Sequence, residues 1–299
     1  MQNKYLICIL FLSIFLSCKK NFQLSNHEER TVDSVNINLD TIRMLNFNNY
    51  FSKIEITPLS QSYDDTINNF KYKSRSLLID NKLQLSVSSN NMEREDTIFF
   101  TSIKENKILD SIIISCIDNY ITVYFPYFSS IDNRFFVHPG LSNELYQIDT
   151  KEFSLSPVVV ADYGKKNLTS EIIKSRGKRA DYQLLEGGHY AVTVNIFQNS
   201  KYYLIESWYL QHTFLTFYDS QSKQTRTGID YFSNGIVISD EEFFFPKIQK
   251  ITDEALYLMV RDYRINSVID TVYLTEDSKK QLANLKKENN AVIVKYYFK

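Results

Sequence analysis

Apolar and polar residues alternate along most of this chain. Near its beginning Val35, Ile37 and Leu39 fall on one side of an extended segment, while the residues between them are polar. Ile54 and Ile56 repeat this spacing. A period of two sends successive side chains to opposite faces of a sheet, so the pattern predicts strands with one buried face.

Short segments of the same kind recur at intervals of about 8–12 residues, separated by turn residues, which predicts an all-β fold. Asp80-Asn81, between the predicted strands 76–79 and 83–88, is typical of a hairpin turn. The last strand is predicted over 291–298, with Val292, Val294, Tyr296 and Phe298 on one face. The other predicted strands are 76–79, 83–88, 97–103, 108–117, 120–125, 134–137, 144–148, 153–160, 189–198, 202–207, 213–219, 224–228, 235–238, 255–261 and 268–274.

Two segments interrupt this rhythm. Residues 163–188 are polar and glycine-containing and are predicted to form a long loop with a short helix around 169–175. Residues 275–290 are predicted to form one helix, because Thr275 suits an N-cap and acidic residues follow it. Leu282 and Leu285 give this helix a narrow apolar stripe.

Many short strands with one late helix are typical of a sandwich, a barrel or a propeller. Their grouping in threes and fours favours the propeller, whose blades are four-stranded sheets. A ring of blades has open edges until its first and last sheets are joined. We therefore expect an N-terminal strand, Val35–Asp40 or Ser52–Thr57, to complete the sheet that contains 291–298.

The chain begins with a short charged start and an apolar run from Tyr5 to Leu16. This run is shorter than the roughly 20 residues of a membrane-spanning helix and suits a secretory signal. Cys18 follows Phe15-Leu16-Ser17, which resembles a bacterial lipobox of the looser Bacteroidetes type. The resemblance implies cleavage before Cys18 and lipidation of its thiol. The alternative is a plain signal peptide or an uncleaved anchor, with Cys18 an ordinary thiol.

These features predict three regions: a lipoprotein signal peptide over 1–17, a flexible tether over 18–34 and a β-propeller domain over 35–299. Lys19 stands where an aspartate would resemble an inner-membrane retention signal. The expected location is therefore the outer membrane, reached through the N-terminal lipid. The periplasmic and the external face both stay open.

Composition narrows the function classes. The chain has 299 residues and a formal net charge of −1, and no basic stripe indicates nucleic acid as a partner. Once Cys8 leaves with the signal and Cys18 is lipidated, Cys116 is the remaining cysteine, so no internal disulfide is expected. Cys116 lies in an apolar run and is predicted to be a buried strand residue. Only 7 glycines occur, so Asn, Asp and Ser are expected to form many turns.

Three segments of the second half carry recognisable motifs: Asn143–Asp149 with the later Ser156-Pro157 and Ala161-Asp162-Tyr163-Gly164-Lys165, the aromatic stretch 208–219, and 288–296. These segments resemble the six-bladed β-propeller lipoproteins of Bacteroidetes. The resemblance covers about 130–299. It implies a lipid-anchored propeller, and its motifs are structural, so it implies no particular chemistry.

No motif of catalysis is found. The chain has no Gly-x-Ser-x-Gly elbow, and its histidines do not pair at metal-ligand spacing, so no catalytic residue, metal site or cofactor is predicted. Trp208 and Tyr209, with Tyr202 and Tyr203 nearby, are weak candidates for an aromatic ligand platform. Core packing is the favoured interpretation of these rings.

The leading hypothesis is a lipid-anchored, non-catalytic binding or scaffold module of the cell envelope, with an envelope protein or glycan as partner. The rival hypothesis is a propeller hydrolase or lyase acting on envelope or dietary polysaccharide. The rival requires two carboxylates, or a histidine with a carboxylate, to converge at the channel mouth. A purely structural protein without a ligand is the third alternative.

Overall fold

The structure is a computed structural model. It describes residues 32–40, 44–58, 76–90, 95–115, 127–139, 142–169, 172, 189–210, 212–233, 247–260, 271–285 and 292–299. The signal, Cys18, Cys116 and the predicted strands at 120–125 and 235–238 lie outside these ranges.

The described chain is almost entirely β-structure, which confirms the predicted all-β class. Its one described α-helix is Glu276–Ala283 (α1). The strands are Asp33–Asn36 (β1), Met44–Asn46 (β2), Phe51–Pro58 (β3), Ser76–Ile79 (β4), Leu83–Asn90 (β5), Glu95–Ser102 (β6), Lys107–Ser115 (β7), Tyr127–Ile131 (β8), Arg134–His138 (β9), Glu144–Asp149 (β10), Ser154–Asp162 (β11), Val192–Gln198 (β12), Tyr202–Tyr209 (β13), His212–Asp219 (β14), Thr225–Ser233 (β15), Lys247–Ile251 (β16), Ala255–Val260 (β17) and Val292–Phe298 (β18).

The described strands form four sheets, each built on an antiparallel meander. Sheet 1 is β4-β5-β6-β7, sheet 2 is β8-β9-β10-β11, sheet 3 is β12-β13-β14-β15 and sheet 4 is β16-β17-β18. The first strands of successive sheets contact one another: β4 with β8, β8 with β12, and β12 with β16. The four sheets thus follow one another along the chain, and the first strand of each sheet lies beside the first strand of the preceding sheet.

The N-terminal strands do not form a sheet of their own. Instead β1 joins β11 in sheet 2 and β2 joins β15 in sheet 3, both in parallel, while β3 joins β18 in sheet 4 antiparallel. Each therefore covers the last strand of a later sheet. Because an uncovered edge presents unpaired backbone groups, this segment protects three sheet edges.

The expected completion of the last sheet is confirmed for one of the two predicted strands. Ser52–Thr57 lies in β3, where Ile56 stands opposite Val294 and Ile54 opposite Tyr296. The other predicted segment, 35–40, begins in β1 and belongs to sheet 2. β1 starts at Asp33, two residues before the expected domain boundary.

Three hydrophobic clusters fill the spaces between successive sheets. Leu85 and Ile148 belong to the cluster of sheets 1 and 2. Leu145 and Phe214 belong to that of sheets 2 and 3. The third cluster, of sheets 3 and 4, includes Phe51, Ile54, Ile56, Phe217, Leu258, Val294 and Tyr296. Sheets 2 and 3 are buried on both faces, which fits the long apolar runs of their strands.

Helix α1 closes the outer edge of sheet 4. The Thr275 side chain accepts a hydrogen bond from the Ser278 backbone N–H, as expected of an N-cap. The same turn reaches β3: the Ile56 N–H donates to Ser278 Oγ over 2.9 Å, and the Thr275 N–H donates to the Ile54 carbonyl. Leu282 is buried in the cluster of sheets 3 and 4, so the predicted apolar stripe is confirmed.

Asp and Asn form the tight hairpin turns, as the low glycine content predicts. Asp80 and Asn81, between β4 and β5, have φ of 50° and 53°. Asp132 and Asn133, between β8 and β9, have φ of 50° and 59°. Two successive residues of positive φ match the twist of antiparallel strands, and Asn and Asp tolerate this conformation.

Some predicted elements differ from the observed ones. A strand was predicted over 268–274, and the described residues of this segment form a 3₁₀ turn at Thr271–Tyr273 and a single bridge from Leu274 to Ile54. The helix ends at Ala283 rather than near 290. Strands β2, β8 and β16 were not predicted. No helix of the described ranges has the length and apolar character needed to span a bilayer.

Candidate functional site

Two polar regions stand out among the described residues. One is buried between sheets 2 and 3, and the other lies on the face of sheet 4 that points away from sheet 3.

The buried region is a hydrogen-bonded network centred on Tyr163. This residue follows β11, and its hydroxyl lies 2.7 Å from Thr193 Oγ1 and 2.7 Å from Ser207 Oγ, both on sheet 3. Asn143 Oδ1 accepts from the Thr193 N–H and Oγ1, which ties the β9–β10 loop to the same point. Burial raises the pKa of Tyr163 to about 12, so its hydroxyl keeps its proton at neutral pH.

The Asp162-Tyr163-Gly164 sequence positions that hydroxyl. Asp162 Oδ1 accepts from the Gly164 N–H over 2.8 Å and from Asn167 Nδ2. Gly164 has φ of +59°, a conformation that most residues with a side chain avoid. The turn reverses the chain after β11 and directs the Tyr163 ring between the sheets. The motif that carried the family resemblance thus has a structural role here, joining sheet 2 to sheet 3.

His138 is fully buried beside this network. Its Nε2–H donates to the Ser142 carbonyl over 2.7 Å. Burial lowers the pKa of His138 to about 4, against a smaller opposing effect of that hydrogen bond. The imidazole is therefore neutral at pH 7, and it fixes the loop whose next residue, Asn143, binds Thr193.

The buried groups do not form a catalytic pair. Ser129 and His138 lie on one face of neighbouring strands, but no hydrogen bond joins Ser129 Oγ to His138 Nδ1, and both atoms are closed to solvent. A serine nucleophile needs its base within hydrogen-bond reach and access to substrate. The carboxylate of Glu144, six residues after His138, lies on the opposite face of sheet 2, where it accepts a hydrogen bond from the Tyr146 hydroxyl. Desolvation there raises the pKa of Glu144.

The predicted aromatic pair is divided between two faces. Trp208 and Tyr209 are consecutive residues of β13, so their side chains point to opposite sides of sheet 3. Tyr209 packs against the cluster of sheets 2 and 3, with Lys166 Nζ 5.2 Å from its ring centroid. The two rings do not build one platform. Contact of either ring with a ligand stays a prediction.

Tyr202 and Tyr203 are divided in the same way. Tyr202 packs on the cluster of sheets 3 and 4, where it contacts the rings of Phe217 and Phe298. Tyr203 packs on the cluster of sheets 2 and 3, against Tyr218. Both rings therefore belong to the packing between sheets.

The second polar region, called here the lysine–tyrosine face, consists of Lys53, Glu55, Lys250, Tyr257, Lys295 and Tyr297. In β3 and β18 these residues alternate with Ile54, Ile56, Val294 and Tyr296, which are buried against sheet 3. One row crosses all four strands, since Lys250 pairs with Tyr257, Tyr257 with Lys295, and Lys295 with Glu55. Tyr297 pairs with Lys53 in the next row.

Ammonium groups lie over both tyrosine rings of this face. Lys250 Nζ is 4.5 Å and Lys295 Nζ 5.6 Å from the centroid of Tyr257, while Lys53 Nζ is 4.1 Å from that of Tyr297. The negative face of an aromatic ring attracts a cation in this geometry. The lysine stems and the rings therefore hold each other across the strands.

The single carboxylate of the face is already bonded. Glu55 accepts from the Tyr297 hydroxyl and from Lys53 Nζ, the latter over 3.0 Å. The Tyr297 bond, with a smaller contribution from Lys53, lowers the pKa of Glu55. The same carboxylate raises the pKa of Tyr297 to about 12. Neither Lys250 nor Lys295 forms a salt bridge with a carboxylate of the described chain.

Sequence reasoning did not identify this face, although part of its signal was present. The alternation of β3 and β18 places Lys53, Glu55, Lys295 and Tyr297 on their polar sides. Lys250 was missed because β16 was not predicted. The face also depends on the pairing of the four strands, which brings lysines from three separate segments together. The sequence of a single strand does not predict that pairing.

The described residues were also compared with the requirements of a metal site. No three His, Cys, Asp or Glu side chains of the described ranges come together as a metal-binding group. His189 and His212 are exposed.

No protein-family model matches the chain. No curated protein matches it either. Among solved structures, it resembles the crystal structure of a "Putative exported protein" from Bacteroides fragilis, with 10% sequence identity and a TM-score of 0.46 over 76% of this chain and 77% of that one.

Proposed function

We propose that this protein is a lipid-anchored, non-catalytic binding module of the cell envelope, built as a β-propeller, with the lysine–tyrosine face as its ligand surface. The observation that carries the proposal is the row Lys250–Tyr257–Lys295 across sheet 4, in which neither lysine forms a salt bridge with a carboxylate of the described chain, although Lys295 interacts electrostatically with Glu55. Surface charges without a structural partner suit a role in binding.

The strand order supports the propeller. Each sheet is a meander that begins beside the first strand of the previous sheet, and the last sheet receives an N-terminal strand. The proposal takes the four described sheets as blades, and the six blades that the family resemblance implies stay a prediction. On the faces that point away from the neighbouring described sheets, Leu78 of sheet 1 is 55% exposed and the Lys53 side chain of sheet 4 is 46% exposed, whereas Met259 of sheet 4 is 3% exposed.

The location rests on the N-terminal sequence. A signal followed by Cys18 suits export and lipidation, and firm attachment needs more than one acyl chain. The hydrolase or lyase alternative needs two carboxylates, or a histidine with a carboxylate, to converge, whereas in the described part of the chain His138 donates to the Ser142 carbonyl and Glu144 faces the other side of sheet 2.

Two measurements test the proposal. Cys18→Ser is expected to move the protein from the membrane pellet to the soluble fraction, and retention in the pellet would contradict the lipid anchor. The purified Cys18→Ser chain is expected to sediment saturably with isolated envelopes of the native cell, in competition with unlabelled chain. Sedimentation that rises linearly without competition would show that the module has no specific ligand there.

A further inference from the structure

We infer that the ligand of the lysine–tyrosine face is a linear acidic polysaccharide, running across the strands of sheet 4 over Lys250, Tyr257 and Lys295. This inference rests on the proposed binding function and names the class of ligand.

The charge of the face selects an anion. The ammonium groups of Lys53, Lys250 and Lys295 outnumber two carboxylates, that of Glu55 and that of Glu254, which acts electrostatically on Tyr297, while the chain as a whole has a net charge of −1. The excess of positive charge is therefore local. Glu55 forms a salt bridge with Lys53 over 3.0 Å and interacts electrostatically with Lys295, but neither Lys250 nor Lys295 forms a salt bridge with a carboxylate of the described chain.

The spacing of the row suits an extended ligand with repeated charges. Neighbouring strands are about 4.8 Å apart, so the backbones at Lys250 and Lys295, on either side of Tyr257, are separated by roughly 10 Å. Acid groups recurring along a polymer can meet both ammonium groups at once. The Tyr257 ring, which has Lys250 Nζ 4.5 Å and Lys295 Nζ 5.6 Å from its centroid, holds both ammonium groups in this row.

The face lacks what a protein or a membrane would need. Protein interfaces are anchored by buried apolar side chains, and interfacial membrane binding requires apolar side chains that insert. Large hydrophobic residues that are exposed in the described chain include Leu78, Ile108 and Ile113 of sheet 1, and none of them lies on sheet 4. Met259, one row beyond Tyr257, is 3% exposed. The face instead presents ammonium groups and half-exposed tyrosine rings, which suit the binding of a charged glycan.

The experiment is affinity electrophoresis of the Cys18→Ser chain in gels that contain polygalacturonate, alginate or chondroitin sulfate. We expect at least one of them to retard the protein, and the retardation to weaken as salt rises, because ion pairs at a surface are screened. Carboxyl-reduced polygalacturonate, which keeps the backbone without the charge, is expected to have no effect. Equal retardation by the reduced polymer, or none by all three acidic polymers, would overturn the inference.

Matched variants locate the binding. The double variant Lys250→Gln/Lys295→Gln is expected to raise the dissociation constant at least about tenfold, since two charge-assisted contacts are lost. Lys279→Gln with Lys280→Gln removes the same charge from the exposed side of α1 and should change binding little. Circular dichroism and urea midpoints establish that both pairs fold. If both double variants lost binding equally, the effect would come from net charge alone and the proposed site would be refuted.

The outcomes separate the two proposals. Saturable binding to envelopes without binding to any acidic polysaccharide would reject the ligand class and keep the binding module. Absence of saturable envelope binding would reject the module itself.

Discussion

The hydroxyl of Tyr163 lies 2.7 Å from Ser207 Oγ, across the boundary between sheets 2 and 3. Tyr163 is 5% exposed and Ser207 is fully buried, so water does not compete for this contact. A buried polar group without a partner costs free energy, whereas a bonded one fixes its neighbours in one arrangement. Together with the bonds of Thr193 to Tyr163 and Asn143, the contact therefore helps to fix how sheets 2 and 3 align.

Removal of the Tyr163 hydroxyl tests this role. Tyr163→Phe leaves Ser207 without its hydroxyl partner and is expected to lower the free energy of unfolding by about 1–3 kcal/mol. Ser207→Ala in the Tyr163→Phe background should then cost less than in the wild type, because the two residues are in contact. Urea unfolding of the four proteins of this cycle measures the coupling. Additive effects would show that the contact contributes nothing to the alignment.

Pairing of β3 with β18 is tested at Ile56. This side chain is 2% exposed and stands opposite Val294. Ile56→Ala should lower the free energy of unfolding by about 2–5 kcal/mol through loss of buried volume. Thr57→Ala is the matched control, since Thr57 belongs to the same strand but is exposed, and its effect should stay within about 0.5 kcal/mol. Similar midpoints for the two variants would contradict the burial of β3 against sheet 3.

Burial of His138 predicts a loss of stability in acid. Its pKa falls from 6.5 to about 4 on folding, so between these values the unfolded chain binds more protons. The free energy of unfolding should therefore decrease as pH falls from about 6.5 towards 4, by about 3 kcal/mol from this residue alone. The dependence on pH should flatten in His138→Gln.

Urea midpoints at pH 7 and pH 4.5 measure this difference. The change between the two pH values, rather than either midpoint, is compared, because glutamine also alters packing. His189→Gln, at an exposed histidine, should keep the wild-type pH dependence. An unchanged dependence in His138→Gln would mean that His138 is accessible to protons in the folded protein.

The sheet content and many strand positions follow from the sequence because burial along one face imposes a period of two. Val292, Val294 and Tyr296 are all fully buried, as the pattern predicts. β8 escaped prediction, since Tyr127-Phe128-Ser129-Ser130-Ile131 has no regular alternation. Thr271–Tyr273 was misassigned because a short apolar run fits a strand and a 3₁₀ turn equally.

The candidate site was visible only in fragments. The outward positions of β3 and β18 could be read from alternation, but Trp208 and Tyr209 were grouped because they are adjacent in sequence. Adjacent residues of a strand face opposite ways, so nearness along the chain counts against a shared surface.

By itself the sequence determined which residues are extended, which side of most strands is buried and where the chain turns, because these depend on local periodicity and backbone preference. Only the tertiary structure decided that β1, β2 and β3 complete three different sheets, that Tyr163 reaches Ser207 and that Lys295 meets Tyr257. Those relationships join segments far apart in the chain, and backbone hydrogen bonds between strands are alike at every position, so sequence alone does not specify which strands pair.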